Sequence, residues 1–469
     1  MGETVQLTRV EVVGLFGLFD HIFDLRADER VTILHGPNGV GKTAILRLIH
    51  AFFNGRYETL LDTNFQQLAL QLSDGRIASV SRIASKTPEG EVSRSLQIES
   101  NSPPGASYGW SRDRMQYRRM AEFIDTEVHQ ITRVEEELWT DDRTGETYSI
   151  PQLVRKFSDV LPDKLKASLI EDPDWLTQFR KVINVHLVET QRLLLADHEL
   201  DERRYRARPS PRKAFASTVK NYSKDLRTRM AAALTTYAEH SQALDRSFPQ
   251  RMLGGPRTEV LDTYNLKDRM NKLELRRAQL KNIGLIEDDA SYPFDIDTLD
   301  SATATQKAVM TLYVEDTESK LSVLDGLEKK VDLLLGNINR KFQPNKRLRA
   351  DRNFGLAVRD KRNLRIDLDS LSSGEQHELV LIYDLLFQVK PHSLVLIDEP
   401  ELSLHVTWQK AFLKELFSII HAVDFDVLLA THSPFIVSDR IDLMVPLALE
   451  APEQEVMSAT TEGQLTLGV

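Results

Sequence analysis

Apolar positions along this chain follow two patterns. Short alternating or continuous runs lie near both ends, and longer stretches of helical spacing lie between them. Residues 5–34 alternate as strands around a turn, and the last segment, VTILHG, is a short apolar strand. Residues 65–99 read as further strands, with FQQLALQLSDGRIASVSR a hairpin that turns at Asp74 and Gly75. From about 111 to 180 the chain is polar, charged and mostly helical in pattern, with breaks at Pro151, Pro162 and Pro173. Val182 to Leu187 is a short β-rich run that predicts a return strand near 182–190. Residues 214–247, 257–283 and 302–342 have helical spacing and are rich in Lys, Arg, Glu and Leu. Helices of roughly 30–40 residues there would form a short antiparallel arm or lid, reaching about 45–60 Å. Residues 345–368 return to strand character.

The last third repeats the alternation of helix and strand. Leu379, Ile382, Leu385 and Leu386 recur at helical spacing behind LSSGEQ, Leu371 to Gln376. An apolar strand, Leu394 to Ile397, then runs into Asp398 and Glu399. A helix over His405 to His421 and the strand DVLLATHSP follow. This order predicts an α/β fold with a mixed sheet flanked by helices and a large helical insertion. The expected boundaries are 1–105 for an N-terminal half, 106–340 for a mostly helical insertion and 341–469 for a C-terminal half.

Four stretches carry chemistry. Gly36-Pro37-Asn38-Gly39-Val40-Gly41-Lys42-Thr43 is GxxxxGK[ST] in full, with an apolar strand before it and a helix, Ala44 to Phe53, behind it. Glycines let backbone N–H groups curl around phosphates, Lys42 reaches the outer phosphates, and the Thr43 hydroxyl is a ligand for Mg²⁺. A helix that opens with Ser372, Ser373 and Gly374 offers side-chain oxygens and backbone N–H groups to an anion. Asp398 and Glu399 at the C-terminal end of a buried strand stand where ligands of parallel sheets sit. One such carboxylate can hold a metal while its neighbour acts on a water. His432 ends the next apolar strand, between Thr431 and Ser433. Gln66 and Gln67 are weaker candidates for contact with the metal or the water.

Together GPNGVGKT, LSSGEQ, LVLIDEPE and THSP resemble the ABC-type ATPase head of the SMC/RecF/OLD-like class, over roughly residues 1–100 and 340–445. The resemblance implies a P-loop ATPase binding ATP and Mg²⁺. By motif, Gly36 to Thr43 cradle the phosphates, and Thr43 and Asp398 serve the metal. Glu399 polarises the attacking water, and His432 senses the γ-phosphate. Ser372, Ser373, Gly374 and Glu375 would complete the site of an opposing subunit, so a homodimer or a larger even-numbered homo-oligomer is implied. Leu402 to His405 occupies the loop that usually crosses that interface, and Arg9, Phe16 and Phe19 are weak candidates for adenine. Short helices, no cysteine and no region after Pro434 large enough for a nuclease domain set the chain apart from long-armed, hook-bearing or nuclease-fused members. What remains resembles the stand-alone ATPase subunits of two-gene anti-phage systems such as Septu, PARIS and certain retrons. There the implied partner is a separately encoded nuclease or toxin. A RecF- or SMC-like DNA-binding ATPase is the alternative.

Composition narrows the rest. With 60 Lys and Arg against 70 Asp and Glu, the net charge is −10, which argues against a general polyanion binder and confines any nucleic acid or acidic partner to local patches. The candidates are Arg203 to Lys213 and Arg340 to Arg365, the second with ten cations against two Asp. With no cysteine, disulfides and thiolate metal sites are excluded. No apolar run is long enough for a membrane span and no signal-peptide pattern opens the chain, so cytoplasmic residence is the expectation.

Overall fold

The computed structural model describes residues 5–86, 92–111, 114–128, 131–135, 138–141, 147–157, 160–162, 172–189, 211–254, 259–286 and 296–447. They form an α/β protein with parallel and antiparallel sheets and flanking helices, divided into two compact units.

The first unit comprises 1–112, 172–183 and 442–469. Its antiparallel sheet runs in the order Phe19–Asp24, Leu7–Leu15, Gln67–Leu72, Ile77–Lys86, Val92–Ser100 and Ala106–Ser111. The hairpin turns at Asp74 and Gly75 because Gly75 takes φ +85 and Asp74 accepts from the Arg76 N–H. Val31–His35 pairs in parallel with Met444–Pro446, and the helix Lys42–Phe53 follows the glycine loop. That helix buries Ile45, Leu46, Leu48, Ile49, Phe52 and Phe53, with Phe179 edge-on to Phe52 and stacked on Phe53. Ala106–Ser111 pairs with Val92–Ser100, so this unit runs past the expected boundary at 105.

The second unit comprises 113–171 and 184–441. Its central strands, Asn184–Glu189, Ser393–Asp398 and Asp426–Ala430, pair in parallel. The middle strand reads Ser-Leu-Val-Leu-Ile-Asp, and its first five residues are buried, as a strand covered on both faces requires.

Over 106–340 the described residues are mostly helical, with short strands among the helices. Three short antiparallel strands, Ile131–Glu135, Leu138–Asp141 and Thr147–Ser149, pack Ile131, Trp139 and Tyr148 against Met120, Ile124 and Leu153 of two helices. Strands of three to five residues hold too few apolar positions to announce their period. Beyond them the helices are unequal. Pro211–Gly254 has 44 residues, about 66 Å at 1.5 Å each, whereas Thr263–Asn282, Ala304–Ser322 and Asp325–Phe342 have 20, 19 and 18. Against the expected 30–40 residues, the first of these is longer and the other three are shorter. Of the expected basic loop Arg203–Lys213, residues 203–210 lie outside the described residues, and 211–213 begin the long helix.

The long helix carries a three-stranded antiparallel sheet in the order Lys346–Asp351, Gly355–Asp360, Arg365–Ile366. Its inner row, Leu348, Val358 and Ile366, packs inward, with Leu348 and Val358 fully buried. Ser223 of the long helix donates to the Phe354 carbonyl at 2.6 Å and accepts from the Leu356 N–H at 2.9 Å. Gly355, φ +79, lies so close that a Cβ would stand 1.7 Å from the Ser223 carbonyl oxygen, so no other residue fits there.

Candidate active site

The glycine loop belongs to the first unit. Gly39 and Gly41 take φ +85 and +103, conformations in which only glycine is unstrained. At Gly41 a Cβ would also stand 2.3 Å from Leu15, with the Phe16 ring at 3.6 Å, so backbone and strand are in contact there. The Lys42 ammonium is 4% exposed and donates to the Gly36 carbonyl at 2.8 Å and the Pro37 carbonyl at 3.0 Å. It is thus held at the mouth of its own loop. Thr43 stands half-buried in the first helical turn.

His21 was not legible as a site residue. It is 2% exposed, and its Nε2 lies 2.8 Å from the Val40 carbonyl. Desolvation outweighs that hydrogen bond and the nearby Asp20, holding its pKa below the ordinary histidine value. The Val40 carbonyl can only accept, so the ring donates to it through Nε2 and braces the loop. Of the adenine candidates, Arg9 pairs with Asp24 at 3.2 Å, Phe16 is exposed beside Gly41, and Phe19 stacks on His21.

The other candidates belong to the second unit. Asp398 ends its strand in register with Ala430 and Glu189. Glu399 follows at φ +46, ψ +57, a left-handed conformation that costs a non-glycine residue about 1 kcal/mol or more. Its N–H donates to the Ala430 carbonyl at 2.9 Å, which pins the strained residue between two strand ends. Glu399 Oε1 and His432 Nε2 stand 3.7 Å apart, both partly exposed. The structure thus brings together the two residues for which the sequence implied work on water and γ-phosphate.

Glu401 is what holds them there, and sequence reasoning missed it. Its carboxylate accepts from the His432 backbone N–H at 2.6 Å and from the Thr431 hydroxyl at 2.8 Å. A second tie runs through Gln409, which donates to the Leu404 carbonyl at 2.9 Å and accepts from the Ser433 hydroxyl at 2.7 Å. The loop after Glu399 and the turn bearing His432 are therefore one hydrogen-bonded body. Leu402 and Val406, on and just after that loop, are exposed.

Ser372 is the N-cap of the helix Ser373–Tyr383, in a capping box with Glu375. The Ser372 N–H donates to Glu375 Oε2 at 2.7 Å, and Lys346 donates to the same carboxylate at 2.9 Å. Burial opposes ionisation of Glu375, but Lys346 and Ser372 outweigh it and hold its pKa below the usual carboxylate range. Ser372 and Ser373 are exposed at this helix end.

For a metal, the residues offer a hydroxyl at Thr43 and a carboxylate at Asp398. Among the described residues no three His, Cys, Asp or Glu cluster to hold an ion by themselves. A single hydroxyl or carboxylate of this kind suits Mg²⁺ arriving with nucleotide phosphates rather than a resident ion in a protein cage.

The family described as "AAA domain, putative AbiEii toxin, Type IV TA system" matches residues 31–438. Among solved structures, the chain is similar to the Smc head domain with an extended coiled coil from Pyrococcus furiosus, solved bound to the C-terminal domain of ScpA. That match has 12% identity, covers 95% of this chain and 94% of that one, and has a TM-score of 0.33. The SMC head domain from Thermotoga maritima matches at 11% identity, 94% and 95% coverage and TM-score 0.32. No curated protein matches the sequence.

Proposed function

The chain belongs to this family of AAA ATPases, and from that premise we propose that it hydrolyses ATP in composite sites between subunits and switches a separately encoded nuclease or toxin in anti-phage defence. The observation that carries the reading is the Glu399–His432 pair, 3.7 Å apart at the end of a buried strand. Gly36 to Thr43 bind the phosphates, Lys42 moving from its loop carbonyls to the outer ones. Glu399 takes the proton of the attacking water, and His432 meets the γ-phosphate, held in place through Glu401. Thr43 and Asp398 would hold Mg²⁺, which would supply charge neutralisation at the phosphates. Ser372, Ser373, Gly374 and Glu375 serve the phosphates of a second copy, which makes the assembly a homodimer or a larger even-numbered oligomer. Among the described residues no helix is long and apolar enough to cross a membrane, in keeping with action in the cytoplasm. The cationic stretch Arg340 to Arg365 is the surface for a nucleic acid or an acidic partner.

Two measurements test this. Glu399→Gln keeps the shape of the base and removes its function, so hydrolysis should fall by about 10²–10⁴-fold while ATP stays bound. Hydrolysis at the wild-type rate would remove Glu399 as the base. Mixing Lys42→Ala with Ser372→Arg, each inactive alone, should restore up to roughly a quarter of the activity if sites lie between exchanging, independent subunits. A Ser372→Arg protein that hydrolyses ATP normally as a monomer would refute the composite site.

A further inference from the structure

The sheet on the long helix carries its charges in register. Arg347 lies directly opposite Arg359, and Arg359 directly opposite Arg365, so three guanidinium side chains cross one face of three strands in a row. Arg349, two residues along its strand, shares that face. Neighbouring strands stand about 4.8 Å apart and alternate residues about 6.8 Å apart, so the four occupy a patch of about 10 by 7 Å. Like charges directly opposite one another destabilise a sheet. Nothing neutralises these: among the described residues no carboxylate lies within ion-pair distance of Arg347, Arg349, Arg359 or Arg365, nor of Lys361 and Arg362 in the adjoining turn.

The nearest acids are committed elsewhere. Asp351 accepts from the Asn353 and Phe354 N–H groups, and Asp360 from those of Arg362 and Leu364, so both shape turns. Asp369 pairs with Lys220, and Glu375 with Lys346. In a chain with ten more acids than bases, this face stays cationic. Beside it Phe354 is 48% exposed, with the Arg365 guanidinium 3.6 Å from the ring centroid.

We propose that this outer face, Arg347, Arg349, Arg359 and Arg365 with Phe354 at its margin, binds the phosphodiester backbone of a single-stranded nucleic acid. The inference deepens the partner surface named above and does not depend on the hydrolytic reading. Planar guanidinium forks match phosphate oxygens in pairs. The exposed ring beside them offers a stacking platform to a base, and only an unpaired strand presents bases that way. An acidic protein segment would use the charges and leave the ring without a purpose.

The test is binding of a fluorescent 20-nucleotide single strand, by anisotropy, across a salt series and without ATP. Four phosphate contacts predict a slope of log K against log salt of about −2.8. Replacing Arg347 and Arg359 by Gln should reduce the slope by about 1.4 and weaken binding about 25-fold at 0.1 M salt. Phe354→Ala should cost about tenfold for the single strand and leave binding of the matching duplex unchanged. The arginine variants should hydrolyse ATP as the wild type does, and Lys42→Ala should still bind the oligonucleotide, so this proposal and the ATPase reading fail separately. A circular dichroism melt of each variant checks the fold. Absence of wild-type binding at 50 mM salt, or unchanged binding in the double variant, overturns the proposal. So does a duplex bound as tightly as the single strand with no effect of Phe354→Ala. Displacement of the strand by poly-glutamate of equal charge at equal concentration would replace it with an acidic protein partner.

Discussion

Two regions of the second unit treat positive charge in opposite ways. Where its helices meet, cations are matched. Arg251 lies against Asp316, Arg269 against Glu318, Arg276 against Asp325 and Glu328, and Lys320 against Asp245, all across helix pairs. The deepest case is Lys341, 4% exposed, between Glu378 at 2% and Glu415 at 7%; it ties three helices together. On the sheet a few residues later, four arginines face outward in a block with no carboxylate within ion-pair distance among the described residues. The first region spends carboxylates to neutralise what folding brings together. The second accepts repulsion that folding alone does not reward, and a charge kept at a cost to the fold points to something outside it.

Breaking the deepest pair should have the largest effect. Lys341→Met leaves Glu378 and Glu415 buried together without their cation, and a loss of about 3–5 kcal/mol is expected by denaturant titration, smaller at pH 5 than at pH 8 because Glu378 can take up a proton. Arg251→Ala comes next. Its two hydrogen bonds to Asp316 join the long helix to Ala304–Ser322, and removing them should cost about 1.5–3 kcal/mol. Smallest, and opposite in sign, is Arg359→Thr. Taking the middle charge out of the row should leave stability unchanged or raise it by about 0.2–1 kcal/mol. A clear loss there would mean that the row is structural and erase the contrast.

The paired region also has a pH signature. Burial pushes the Glu378 carboxyl above its ordinary value, against the pull of Lys341 and with Glu415 reinforcing it. The folded state therefore holds that proton more tightly than the unfolded one, and stability falls as pH rises from the ordinary glutamate value to the raised one. Glu378→Gln should remove this slope, read as a smaller drop in melting temperature across that window.

Legibility from sequence followed the reach of each interaction. GPNGVGKT and LVLIDEPE could be read because their residues act on neighbours in the chain, through glycine conformations and the end of one apolar strand. Glu401 could not, since its partners Thr431 and His432 lie thirty and thirty-one positions away and an acid in a loop looks solvated. His21 hid in the same way behind a contact with Val40 that only the folded loop creates. The cationic stretch was visible as composition. Its row was not, because the alignment of Arg347, Arg359 and Arg365 is a matter of strand register. The strands between 131 and 149 were too short to show a period.

One consequence remains in the way Lys42 rests on the Gly36 and Pro37 carbonyls. The loop holds its own plug. Two of its carbonyls take up donors of the lysine, so a phosphate would gain Lys42 in exchange for those contacts. The strand that ends at His35 and the helix that begins at Lys42 are tied by that same side chain. A Lys42→Ala protein therefore loses a fastener as well as a ligand, and its melting temperature without nucleotide needs measuring before lost binding is credited to the phosphate contact alone.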